Sequence, residues 1–129
     1  MLEFAFAILC AAVLIGAGLA VAFLRGPQAK PPHRAIPPVH GALGGAGLGA
    51  LLVALRHGLP RTGMGTAGFG VIAAGLLGLA FALGLALGVA RRYRRLPGAL
   101  VGAHASLAIA GFVVLLTLIA LSPGGPPAH

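Results

Sequence analysis

Four long apolar runs decide what this chain can become. They lie near Leu2–Leu24, Val39–Leu55, Gly68–Ala90 and Gly98–Leu121. A helix crossing a hydrocarbon core about 30 Å thick needs about 20 residues. The second run is the shortest and spans if its ends sit at the interface. Only 8% of the 129 residues are charged, against roughly 25% in soluble domains. A water-soluble protein of this length could not cover its surface with so few charges. The strands of a membrane β-barrel alternate polar and apolar residues, and these runs do not. The expected fold is an all-α integral membrane protein, a bundle of four transmembrane helices.

The charges that remain set an expected orientation. Nine Lys and Arg residues face a single acid, Glu3. Arg25, Lys30 and Arg34 lie between the first two runs, and Arg91, Arg92, Arg94 and Arg95 between the last two. Only Arg56 and Arg61 lie on the other side. Cytoplasmic loops carry the excess of Lys and Arg, so both termini are expected on the non-cytoplasmic side. The same rule explains the net charge of +8 without nucleic acid as a partner. The lipid bilayer is the expected surrounding, and a multi-pass place in a bacterial inner membrane the expected location. Glu3 sits where a secretory signal would carry positive charge, so the first run reads as a retained span. Cys10 is the only cysteine, which excludes an intrachain disulfide.

The second and fourth runs resemble one another. HGALGGAGLGALLVAL (residues 40–55) aligns without a gap on HASLAIAGFVVLLTLI (residues 104–119). His40 falls on His104, Gly47 on Gly111, and Leu51-Leu52 on Leu115-Leu116. Each copy follows a basic, proline-containing loop. Pro37, Pro38 and Pro97 suit a first helical turn, where a missing amide proton costs little. The earlier runs match more loosely: Arg25 pairs with Arg91 and Gly18 with Gly84, which makes the second basic loop two residues shorter. The expected organisation is one membrane domain built from two duplicated helical hairpins, 1–57 and 65–122. A loop at 58–64 joins them, and 123–129 forms a breaker-rich tail.

Duplication places one histidine at the same point in each half. A histidine within a span is costly and faces the bundle interior or a water cavity. On parallel helices, His40 and His104 could supply both axial ligands of a haem iron. Gly44 and Ala108, one turn further along, would leave room. Arg34, Arg91, Arg92, Arg94 and Arg95 lie on the same side and could pair with the propionates. The plan is similar to that of membrane b-type cytochromes, and the resemblance covers the two histidines and their helices. With one histidine per ligand helix, it implies a single haem b.

Competing readings accompany this one. A histidine near a helix start can sit at headgroup level and bond to water or a loop carbonyl, and duplication would copy it without a cofactor. Another metal or a quinone contact would use the same residues. Zinc fits poorly, because its sites take three or four protein ligands. His33, His57 and His129 read as solvent-facing, and Tyr93 as an interface anchor. Gly41, Gly45 and Gly49 on one stripe, and Gly84 and Gly88 on another, read as helix–helix contacts.

The chemistry that is missing narrows the function. No carboxylate lies in the membrane interior, Glu3 being at its edge, whereas ion-coupled transport usually requires one there. Ser106 and Thr117 are placed to bond the preceding helical turn, and no nucleophile–base pair appears. The expected function is therefore electron transfer, or membrane anchorage, for other membrane or redox subunits of a respiratory-type complex. A cofactor-free accessory subunit is the alternative, and a small-solute carrier the weakest reading.

Overall fold

A computed structural model describes residues 1–26, 32–57, 66–92 and 97–121, with no account of the side chains of Thr66, Ala67 and Arg92. The loop expected at 58–64 and the tail at 123–129 lie outside those residues. The described residues form four helices: α1 Leu2–Leu24, α2 Ile36–Arg56, α3 Thr66–Arg92 and α4 Gly98–Leu121. Each is long and apolar enough to cross a membrane, as expected for a multi-pass membrane protein. No strand occurs among the described residues.

The helix ends follow local chemistry. Gly26, with φ +76°, follows the last turn of α1, and its N–H donates to the Phe23 carbonyl. A left-handed residue just past a helix is the usual place for glycine. Two prolines occupy the first turn of α2, which carries its start back to Ile36, three residues before the expected Val39. The His33 ring stabilises this entry: its Nδ1 accepts the Ala35 N–H at 3.3 Å. His33 is thus exposed, as expected, but also part of the turn. Pro97 opens α4, its carbonyl accepting the N–H groups of Leu100 and Val101.

The helices form a ring in chain order. α1 packs against α2 and α3 against α4; fewer contacts join α2 to α3 and α1 to α4. The backbones of the diagonal pairs stay apart, with no Cα of α2 within 8 Å of a Cα of α4 among the described residues. The buried positions are Ala5, Leu9 and Ala12 on α1, and Gly47, Leu51 and Ala54 on α2. On α3 they include Ala73, Leu77 and Ala80, and on α4 Gly111, Leu115 and Leu118. Every one of these sets steps by four residues and then three. That spacing keeps one seam facing inward and is the signature of left-handed helix packing. Phe6 stacks on Phe112 at 5.4 Å to join α1 to α4, and Phe81 lies over Gly45 to join α3 to α2.

Close approach at two glycines tightens the seam. A methyl group on Gly47 would stand 2.7 Å from Leu9 Cγ, and one on Gly111 2.9 Å from Leu77 Cγ. The stripes expected from sequence fare differently. Gly41, Gly49 and Gly88 have open space where a Cβ would be; only Gly45 and Gly84 meet a neighbour. Small residues at four-residue spacing mark where helices can approach, but the inward seam is set by the leucines, and it passes through Gly47 and Gly111 instead.

All buried residues lie in one half of the bundle. None is found among residues 13–24, 36–46, 81–91 or 97–110. The seam stops at Ala12 and Ala80, and the two histidines sit at that boundary.

Candidate functional site: a histidine pair across the bundle

His40 is the fifth residue of α2 and His104 the seventh of α4. The backbones of these diagonal helices stay apart, and the two side chains reach inward to meet between them. Their ring centres are 6.0 Å apart, with planes at 84°. Each ring is half-buried. The sequence expectation that the two histidines meet at like depth therefore agrees with their placement.

Each ring is held by the preceding helix of its hairpin. His40 Nδ1 is 2.9 Å from the carbonyl oxygen of Ala12, and His104 Nδ1 is 2.7 Å from that of Ala80. A carbonyl oxygen only accepts, so Nδ1 is the donor in both rings. In a neutral imidazole the proton on Nδ1 leaves the lone pair on Nε2. Neither Nε2 makes a hydrogen bond among the described residues.

Two glycines complete the cradle. A methyl group on Gly16 would stand 2.8 Å from His40 Cε1, and one on Gly84 3.1 Å from His104 Cε1. Ala12 and Gly16 are one turn apart on α1, as Ala80 and Gly84 are on α3. Sequence reasoning missed Gly16 and both carbonyls, and paired Gly84 with Gly18. Gly18 has open space around its Cβ position. The contacts relate α1 to α3 by 68 positions, while the histidines differ by 64. The histidine follows its carbonyl by 28 residues in one hairpin and 24 in the other. The second connection is thus four residues shorter, not two. The arginines used as the anchor, Arg25 and Arg91, lie at helix ends, where helix length drifts freely. The signal that could have found the register is the repeated Ala-x-x-x-Gly at 12–16 and 80–84.

The depth of the site differs between helix pairs. Ala12 and Ala80 lie near the middle of α1 and α3, whereas His40 and His104 are within two turns of the starts of α2 and α4. At 1.5 Å per residue, α1 continues roughly 18 Å beyond the site and α2 only about 6 Å. α1 and α3 therefore overhang the entries of their partners. An apolar cleft of about 430 Å³ lies in the first overhang, between Ile15, Gly18 and Leu19 of α1 and Ala35, Ile36 and Val39 at the start of α2.

The remaining expected site residues are not brought to the rings. Arg34 is exposed in the turn before α2, and Arg91 is exposed in the last turn of α3. Both belong to the end of the bundle toward which the histidines lie. The side chain of Arg92, and Arg94 and Arg95 entirely, lie outside the described residues. Gly44 lies beside Phe81, at 3.9 Å from a Cβ position. No group of three or more His, Cys, Asp or Glu side chains that could hold a metal exists among the described residues. Among the described residues two imidazoles are thus the side-chain donor set at this site, enough to cap both faces of a metal whose other ligands come from elsewhere. Comparison with family models, curated proteins and solved structures finds no match for this chain.

Proposed function

We propose that this protein binds one b-type haem between His40 and His104 and serves a larger membrane complex as an electron-transferring or anchoring subunit. The observation that carries the proposal is the pair of crosswise imidazoles on diagonal helices, each with Nδ1 tied to a main-chain carbonyl. An imidazole nitrogen binds a transition metal at about 2.0–2.1 Å, and the ring centre lies roughly 1.1 Å behind it, so two rings capping one metal stand about 6.3 Å apart. The observed separation is 6.0 Å. Metal-bound histidines commonly donate their second ring N–H to a carbonyl or carboxylate, which fixes the tautomer and raises ligand basicity. Both rings already have that partner. The lack of buried residues from the rings to the basic-loop end of the bundle supports the reading too, since a macrocycle needs side chains that have not closed over the space.

The haem, when bound, supplies one-electron chemistry. The chain's own part is to hold and tune. The carbonyls of Ala12 and Ala80 orient the rings, and the apolar surroundings keep water from the iron's faces. Arg34 and Arg91, with Arg92, Arg94 and Arg95, form the cationic end toward which propionates would point. Loop charge places that end at the cytoplasm in this reading, with both termini opposite, in a bacterial inner membrane. The matching four-three seams and Ala-x-x-x-Gly cradles support descent from one duplicated hairpin.

A second reading draws on a different observation. A ring separation of 6.0 Å also lies within the 4.5–7 Å range of edge-to-face contacts, and a hydrogen-bonded imidazole pair could join two hairpins without any cofactor. The protein would then be an accessory subunit. The visible spectrum of protein purified from haem-replete cells separates the two. Haem ligation gives a sharp reduced α band that His40→Ala and His104→Ala each abolish. A colourless, folded preparation from such cells refutes it.

A further inference from the structure

We infer that Gly16 and Gly84 are positioning residues that, together with the Ala12 and Ala80 carbonyls, lock the two imidazoles crosswise and so set the electronic state of the metal they hold. The inference rests on the haem reading and deepens it. A ligating imidazole has one soft motion, rotation about the bond joining the ring to Cβ. Terminal torsions of this type are broad and weakly restrained by themselves. Here two contacts on adjacent ring atoms oppose that rotation. Nδ1 is bonded to a carbonyl of the neighbouring helix, at 2.9 Å for His40 and 2.7 Å for His104. The adjoining Cε1 lies against a glycine one turn further along the same helix, where a methyl group would intrude to 2.8 Å or 3.1 Å. Only glycine lets the ring lie that close while its nitrogen reaches the carbonyl. One cradle belongs to α1 and the other to α3, which stand on opposite sides of the bundle. The two rings are consequently held at 84° to one another.

The angle has a consequence for iron chemistry. Each imidazole donates π density perpendicular to its own plane. Parallel rings both act on the same iron d orbital and split the d_xz and d_yz pair; crossed rings act on one orbital each and leave the pair nearly degenerate. A ferric low-spin centre with crossed ligands therefore shows a strongly axial electron paramagnetic resonance signal, dominated by one large g value. Parallel ligands give a rhombic three-line spectrum.

The test uses the full-length, pigmented protein in detergent, oxidised and frozen. The wild type is expected to give the large-g axial signal. Gly16→Ala and Gly84→Ala are each expected to move it toward the rhombic form, with the reduced α band retained. Gly84→Ala, with the milder intrusion, carries the test should Gly16→Ala fail to fold. Gly18→Ala, on α1 but with open space at its Cβ, is expected to leave the spectrum unchanged. A rhombic wild-type signal, or glycine variants whose spectra match the wild type, overturns the inference while leaving haem ligation standing. Absence of pigment overturns the haem reading itself.

Discussion

Adding one carbon atom at Gly111 tests the close packing of α4 against α3. A methyl group there would meet Leu77 Cγ at 2.9 Å, Leu76 Cβ at 3.1 Å and the Leu77 backbone nitrogen at 3.1 Å. The last two atoms cannot swing aside, so α3 and α4 must part along the seam. Leu77 is itself only 7% exposed and has little room to retreat. Overpacking of this kind costs about 1–3 kcal/mol, against a gain of about 1 kcal/mol from replacing helical glycine by alanine. The backbone contact puts Gly111→Ala at the upper end of the cost, for a net loss of about 2 kcal/mol. At Gly47 the nearest atoms to an added methyl are in the side chains of Leu9 and Ile8, which can give more readily than backbone, and the net loss for Gly47→Ala is about 1 kcal/mol or less. Gly49→Ala, with nothing within 4 Å, should lose nothing. Cys10 is the sole thiol and is half-buried, so a thiol-reactive fluorescent dye reads unfolding in detergent directly. At roughly 4 °C per kcal/mol, Gly111→Ala should melt about 8 °C below the wild type and Gly49→Ala at or above it. A Gly111→Ala protein as stable as Gly49→Ala would refute the seam as described.

Three further outcomes follow from the site and its setting. His104→Ala removes a hydrogen bond worth about 0.5–1.5 kcal/mol and half of the donor set. If haem is bound as proposed, the substitution should bleach the α band while lowering the melting point of the apo protein by only a few degrees, which parallel dye and absorbance measurements would show. Single cysteines placed at Arg34, Arg91 and His57 in a Cys10→Ser background should divide by side. An impermeant thiol reagent added to inverted vesicles should label positions 34 and 91 but not 57, and the opposite pattern would reverse the orientation. Thr117→Val should change stability by no more than about 0.5 kcal/mol, since its hydroxyl only bonds the Val113 carbonyl of its own helix at 3.0 Å.

The number and limits of the helices were legible because lipid leaves little choice. Backbone groups in hydrocarbon must be satisfied within the segment, so a long apolar run is a helix. α1 and α4 fall on the expected residues; α2 starts three residues earlier, where prolines open it, and ends one later, and α3 runs two residues further at each end. The meeting of His40 and His104 was legible from the gapless alignment of their helices. The cradle was not. A main-chain carbonyl has no residue-type signature, and Gly16 is one glycine among 22. Its counterpart across the bundle, Gly84, was paired with Gly18 because charged helix ends served as the ruler. The glycine stripes misled for a related reason: a helix made largely of Ala, Gly and Leu offers several plausible small-residue faces, and only the spacing of large buried side chains selects one.

The position of the buried seam implies an order of assembly. Below Ala12 and Ala80 the helices grip one another through apolar side chains and close-packed glycines; above that level two imidazoles stand between them. The half carrying the termini can therefore close as soon as all four spans share a membrane. It would present a finished clamp to whatever arrives last, and what that clamp holds could leave and return without the protein having to come apart.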